Sequence, residues 1–291
     1  MLKQRIMSGI MIVAGIVLVT NYLPPVVAWL LIVAISSLAQ LEFYSMINMG
    51  GITIFRVIGL LCGAALISAT FCTIGPQPGD IAASYRWEHF VLVGSLIAVF
   101  IRQFPQKHND KPLATIGCTL LGIWYVPFLF NFFTRLAFVW DGSGSAEHVS
   151  QTGRLFVLYL VAVVKSGDIG AYFVGILLGR HKLLPRISPA KTWEGLFGGI
   201  ICAVAVSCLF CYFADCRLGD VALRLYDAFF LGLLLALAGA VGDMFESLLK
   251  RVSGAKDSGS VIPGMGGILD VLDSLLFGAP VLYIYAQLFL S

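Results

Sequence analysis

From Ser247 to Asp273 the chain reads SLLKRVSGAKDSGSVIPGMGGILDVLD. Apolar segments stand at both ends of this stretch. Between them lie Lys250, Arg251, Lys256 and Asp257, then Gly264, Gly266 and Gly267, then Asp270 and Asp273. Cations suit phosphate oxygens, glycines such as Gly266 and Gly267 let a backbone approach a phosphate closely, and carboxylates suit a hard divalent metal. The combination points to phosphoryl chemistry at a membrane surface.

Three further segments carry groups of the same kind. In GDMFESLLKR, Gly242 to Arg251, the residues Asp243, Glu246 and Lys250 recur at three and four and share a helical face, with Ser247 at its edge. Asp243 falls about two turns inside the helix end, deep enough to need a partner or a metal. Asp270 and Asp273, three apart in the first turns of the last helix, project to one side; with Asp243 they form a candidate Mg²⁺ site for one ion or two. In VVKSGDIGAYFVG, Lys165 and Asp168 lie deep in an apolar run, where a charge costs about 2.5–3.5 kcal/mol. They either line a wet cavity or stitch helices together as an ion pair, and Gly167 and Gly170 allow close helix approach beside them. In SPAKTWEG, Ser188 fits an N-cap and Pro189 a first helical turn, so Ser188, Lys191 and Thr192 offer donors to a phosphate at a helix start. An ordinary capped helix, with Glu194 answering the dipole, is the plainer reading of that segment.

The elements that must position these groups are apolar helices. The chain has 291 residues, of which 59% are hydrophobic and 12% charged, against roughly 25% charged in soluble domains. Mean hydropathy is +0.92. The fold class expected is an all-α polytopic membrane protein with about nine transmembrane helices, at roughly 5–21, 25–46, 55–74, 88–104, 113–135, 155–179, 193–214, 226–249 and 268–290. The fourth is the weakest, with Glu88 and Arg102 crowding its ends, and the sixth is interrupted around Lys165 to Gly170. The first begins like a signal peptide but lacks a convincing cleavage site, and reads as a retained signal anchor. With the N-terminus cytoplasmic, thirteen of the 19 basic residues flank the inner side and five the outer, Arg135 among the five, with Lys165 in the membrane. Both charged loops, 180–192 and 250–267, then face the cytoplasm, where nucleotides are found. The first helices hold few polar groups apart from Glu42. The expected organisation is therefore an N-terminal scaffold, 1–135, and a catalytic half, 155–291.

The net charge of +3 and the lack of a basic run argue against nucleic acid. Seven cysteines fall mostly inside apolar runs. Cys208 and Cys211 form a CxxC with no histidine or second pair near, and read as small apolar helix residues. The GxGG at Gly264 to Gly267 has neither the preceding strand nor the βαβ unit of a dinucleotide fold.

Taken together these segments resemble the CTP:phosphatidate cytidylyltransferase (CDP-diacylglycerol synthase) family. The family signature S-x-x-K-R-x4-K-D-x-G-x2-I-P-G-H-G-G-x-x-D-R-x-D aligns without gaps from Ser247 to Asp273. The DxxAYxxG, SPxKTxEG and GDxxES segments follow in order at Asp168–Gly175, Ser188–Gly195 and Gly242–Ser247, and the likeness extends more loosely to Glu42 and to Gly122–Tyr125. Two positions depart: Met265 stands for the usual histidine and Val271 for the usual arginine. Methionine cannot donate a hydrogen bond and valine cannot contact a phosphate, while every acid of the signature is present.

The resemblance implies CTP plus phosphatidate giving CDP-diacylglycerol and pyrophosphate. It implies catalytic roles for Asp243, Asp270, Asp273, Lys250 and Lys256, with the three aspartates on Mg²⁺. Lys165, Asp168, Ser188, Lys191, Thr192, Glu246, Ser247, Arg251, Asp257, Gly266 and Gly267 would bind substrate. A homodimer among membrane lipids of a bacterial inner membrane, with its site facing the cytoplasm, is the expected setting. Three alternatives stay open: a related CTP-dependent polyprenyl or archaeal-lipid enzyme, an ion-coupled transporter, and an inactive lipid-binding relative. Against the transporter, no inverted repeat is present.

Overall fold

The computed structural model describes residues 15, 18, 21–75, 81–106, 109–140, 149–255, 258–259 and 266–290. Eight long helices follow one another: α1 Pro25–Met49, α2 Arg56–Ile74, α3 Ile81–Gln103, α4 Pro112–Phe138, α5 Gln151–Leu178, α6 Trp193–Phe213, α7 Leu225–Ser253 and α8 Ile268–Leu290. All but α3 are long and apolar enough to cross a membrane, seven among the described residues. The chain is an all-α polytopic membrane protein. The expected helix 5–21 lies almost wholly outside the described residues. The expected fourth helix is present as α3, but its charged and polar side chains keep it below the apolarity of the other seven.

The helices sort into two compact units. The first comprises Met1–Ser150 with Leu249–Val271, and the second Gln151–Leu248 with Leu272–Ser291. The segment 249–271, expected within the catalytic half, thus groups with the N-terminal helices.

In the first unit, polar side chains are buried where they can pair. Tyr44 on α1 reaches Thr119 O with its hydroxyl at 2.9 Å and accepts from Gln40 Nε2 at 3.0 Å. A Cβ at Gly59 or Gly122 would lie 2.1 Å from the Tyr44 side chain, so α2 and α4 approach α1 only because both positions lack one. Arg135, fully buried, is ion-paired to Glu88 of α3, and its guanidinium stacks 4.1 Å from the Tyr85 ring centroid. Asn131 links the same group to Thr70 at 2.8 Å. The topology reading had Arg135 flanking an outer loop; it instead neutralises a carboxylate inside the helix packing. α4 passes through a π-helical turn at Trp124–Phe128 around Pro127, whose ring cannot fit a regular α-helical turn.

In the second unit, α5 and α6 meet along glycines. A Cβ at Gly198 would lie 2.4 Å from Val174, at Gly170 2.5 Å from Cys202 Sγ, and at Gly199 2.8 Å from Gly167 O. The expected interruption of the sixth helix is absent: α5 runs unbroken from Gln151 to Leu178, since the 3.0 Å Lys165–Asp168 pair lets both charges stay within it. The reading of Ser188 as an N-cap also changes. Ser188–Thr192 is strand β2, paired antiparallel with β1, Lys182–Leu184, through Leu184 opposite Ser188 and Lys182 opposite Thr192. Thr192 is the N-cap of α6, its hydroxyl accepting from Gly195 N–H at 3.1 Å. A second hairpin, β3 Arg217–Leu218 and β4 Val221–Ala222, turns through Gly219 at φ +66°.

Candidate functional site

The second unit gathers four acids and two lysines. Asp243 and Glu246, three apart on α7, face Asp273 of α8, and one carboxylate oxygen from each lies within 4.8 Å of the others. Gly242 makes this possible. A Cβ there would sit 2.3 Å from the Asp273 carbonyl oxygen, so the backbones of α7 and α8 touch at the turn carrying the acids. Glu246 and Asp273 are buried, at 2% and 5% exposure.

Around the trio, Lys191 Nζ of β2 pairs with Asp243 Oδ2 at 2.8 Å, and Lys165 Nζ pairs with Asp168 Oδ2 at 3.0 Å. Ser274 ties the two groups together. Its amide donates to Asp273 Oδ1 at 2.5 Å, and its hydroxyl lies 3.1 Å from that oxygen and 3.2 Å from Asp168 Oδ1. Among the described residues of this unit, four carboxylates thus gather with these two lysines, and buried carboxylates are costly without neutralising charge. An all-carboxylate donor set is that of a hard divalent cation, so these residues fit Mg²⁺.

A cleft of about 360 Å³ opens beside this cluster. Asp168, Lys191, Thr192 and Asp243 supply polar groups to it, and Tyr172, Ile176, Leu196, Ile200, Leu235 and Met244 supply apolar wall. The hairpin over the start of α6 is held by Glu194, which accepts from the Arg180 and His181 amides at 3.2 Å and meets His181 Nδ1 at 2.6 Å. Glu194 is thus a hairpin anchor as well as an acid in the first turn.

The first unit holds the start of the glycine-flanked helix α8. Glu42 of α1, 9% exposed, accepts from the Ile268 and Leu269 amides at 3.0 and 2.8 Å, and so answers the free N–H groups of that helix end. Asp270 accepts from Gly267 N–H at 2.7 Å and Ser258 N–H at 3.3 Å, and is ion-paired with Lys250. Gly266, at φ +96°, and Gly267 are crowded by carboxylates. A Cβ would lie 2.3 Å from Asp270 Oδ2 at the first and 2.4 Å from Glu42 Oε2 at the second.

Of the residues singled out in the sequence, Lys165, Asp168, Lys191, Asp243, Glu246 and Asp273 meet around the second unit's acid cluster, with Thr192 at the cleft wall. Ser188 stands at the far end of β2, partly exposed. Lys250, Asp270, Gly266 and Gly267 cluster in the first unit, and Arg251 is exposed on the last turn of α7. Ser247 is partly exposed on α7. Lys256, Asp257 and Met265 lie outside the described residues. Sequence reasoning placed Glu246 with the substrate ligands; here it stands with the acids. Ser274 went unread, although a hydroxyl following a buried acid is a cheap local donor. The role of Glu42 was signalled only by its being an acid in an apolar helix.

The profile of the Cytidylyltransferase family matches residues 3–289 of this chain. A Bacillus subtilis protein named phosphatidate cytidylyltransferase is 32% identical over 294 residues, covering 99% of this chain and 98% of the relative. Proteins of the same name from Staphylococcus haemolyticus and Staphylococcus aureus are 33% and 32% identical over 250 residues, each covering 85% of this chain and 86% of the relative.

Proposed function

Because the chain belongs to the cytidylyltransferase family, we propose that it is a nucleotidyltransferase that joins CTP to phosphatidate, yielding CDP-diacylglycerol and pyrophosphate for phospholipid synthesis. A phosphate oxygen of phosphatidate attacks the α-phosphorus of CTP, the bond to the β-phosphate breaks, and pyrophosphate departs with that electron pair. A phosphate is already a good nucleophile, so the site needs alignment and charge neutralisation more than a strong base.

The observation that carries this reading is the cluster of four carboxylates and two lysines beside a largely apolar cleft that Asp168, Asp243 and Lys191 help to line. Asp243, Glu246 and Asp273 would hold Mg²⁺, which when bound supplies positive charge to phosphate oxygens. Lys191 pairs with Asp243 and directs it to the cluster, and Lys165 does the same for Asp168. Ser188, Lys191 and Thr192 contribute donors for a substrate phosphate. Lys250, Arg251 and Lys256 take the nucleotide phosphates and the departing pyrophosphate; substrate-binding roles for Ser247, Asp257, Gly266 and Gly267 rest on the family signature. Asp270, expected among the metal ligands, is assigned here to orient Lys250, the group with which it pairs. The apolar wall from Tyr172 to Met244 suits acyl chains entering from the lipid.

In this reading the N-terminus and the nucleotide site face the cytoplasm, the chain sits in a bacterial inner membrane, and it works as a homodimer. The N-terminal helices serve as scaffold for the chemistry carried after residue 155. The test is purified full-length protein with CTP, phosphatidate and Mg²⁺, scored for pyrophosphate and CDP-diacylglycerol. Met265 and Val271 single out the lipid acceptor as the variable to scan. Turnover with a polyprenyl or archaeal-type phosphate and none with phosphatidate would move the chain to the related CTP-dependent enzymes, and no turnover with any acceptor would leave a lipid-binding relative.

A further inference from the structure

The far end of α6 brings two cysteines together. Cys211, in the last turn of the helix and fully buried, has its Sγ 2.9 Å from Sγ of Cys216, an exposed residue in the turn that follows. The backbone makes the same approach, since Cys216 N–H donates to Cys211 O at 2.7 Å. Asp215 and Cys216 lie at φ +50° and +54°, a left-handed pair of non-glycine residues that folds the chain back over the helix end. The turn is fixed from its other side by Leu223 N–H, which donates to Cys216 O at 2.9 Å, and Cys211 Sγ lies 3.2 Å from Leu223 O. Both sulfurs are thus held about 0.9 Å beyond the bonded separation of about 2.05 Å. In the sequence, Cys211 pairs by spacing with Cys208, as a CxxC; the structure gives it Cys216 instead.

The position across the membrane decides what such a pair meets. Lys191 and Thr192 stand at the N-terminal end of α6 and the two thiols at the other end of this 21-residue helix, which is about 31 Å long. That length spans the hydrocarbon core, so the thiols open on the face opposite Lys191 and Thr192, the substrate-phosphate donors of the proposed function. With CTP drawn from the cytoplasm, as the proposed function requires, the thiols face the outer, disulfide-permissive compartment. We infer that Cys211 and Cys216 form a disulfide there, made by exchange with a disulfide-bearing oxidant. The exposed Cys216 thiolate attacks the oxidant's disulfide and releases one of its thiols. Cys211 sulfur then attacks Cys216 sulfur in the mixed disulfide and expels the second thiol. Two protein thiols lose two electrons and two protons, and one oxidant disulfide becomes two thiols. The bond closes α6 onto the β3–β4 hairpin, whose Asp220 N–H already bonds Thr152 Oγ1 at the start of α5 at 3.1 Å.

The experiment has two arms on the full-length chain. In the first, cells are lysed in N-ethylmaleimide and the membrane protein is digested without reduction; mass spectrometry should find Cys211 and Cys216 unalkylated and joined. In the second, purified reduced protein is exposed to oxidised glutathione, and the same pair should close while Cys202 and Cys208 stay alkylatable. Cys216→Ser, like treatment of the parent with dithiothreitol, should lower the thermal midpoint by several degrees and leave pyrophosphate release unchanged. A pair that remains alkylatable in glutathione overturns the inference at its geometry. A pair that closes in glutathione but is free in cells overturns its outer placement. Neither result alters the CTP assay, which tests the proposed function separately.

Discussion

A single methyl group at position 242 should separate the acids of the second unit. Gly242→Ala sets a Cβ 2.3 Å from the Asp273 carbonyl oxygen and 3.0 Å from the carbonyl carbon and from Phe277 Cδ2. A carbon settles against a carbonyl oxygen at about 3.3 Å, so α7 and α8 must part by about 1 Å at this turn. The obstructing atoms are backbone, which cannot rotate aside, and overpacking of this kind costs about 1–3 kcal/mol. Asp243 and Asp273 flank the contact, and a misplacement of about 1 Å at a reacting centre costs about 10²-fold in rate. Gly239→Ala, one turn earlier on α7, is the control. Its Cβ meets Val164 at 3.4 Å and Ser274 at 3.5 Å, ordinary contacts, and alanine is the better helix former by about 0.8–1.0 kcal/mol. Pyrophosphate release at saturating CTP, phosphatidate and Mg²⁺ should fall about 100-fold in the first variant and stay within about twofold in the second. A Gly242→Ala protein with activity within threefold of the parent would show that α7–α8 contact does not set the acid geometry.

Other expectations follow from individual contacts. Asp243→Asn or Asp273→Asn should cut turnover by at least about 10²-fold while the protein still inserts and elutes as the parent does, measured by pyrophosphate release and size-exclusion chromatography in detergent. Chelation with EDTA should stop pyrophosphate release and added Mg²⁺ restore it, and activity unaffected by chelation would remove the metal from the reaction. Lys191→Met loses a partly exposed pair with Asp243, so stability should change by less than about 1 kcal/mol, while loss of the ammonium competing for that carboxylate should lower the Mg²⁺ half-saturation. Glu88→Gln removes the carboxylate that the buried Arg135 pairs with and should lower the thermal midpoint; Glu88→Met with Arg135→Met should recover most of the loss.

The helices were legible because their apolar runs have bilayer length, and seven of them stand close to the expected bounds. The acids were legible for the opposite reason, since Asp243 and Asp273 sit where an unneutralised charge is expensive. Partners were harder. Asp270 and Asp273 are three apart and read as equivalent, yet the first meets Lys250 and the Gly267 amide while the second meets Glu246 and Asp243. Helical spacing says which residues share a face but not what that face meets. The Ser188–Pro189 pair suits a helix start and a strand start alike, and the three-residue β1 was too short to announce a hairpin. Arg135 and Glu88 are 47 residues apart, and no local pattern couples them.

That last separation bears on how the protein enters the bilayer. Glu88 emerges from the ribosome well ahead of the guanidinium that will neutralise it, on a helix less greasy than its neighbours. Until α4 arrives, Glu88 lacks the Arg135 partner it has in the folded protein. Burial of Glu88 among the packed helices therefore depends on α4 and its Arg135.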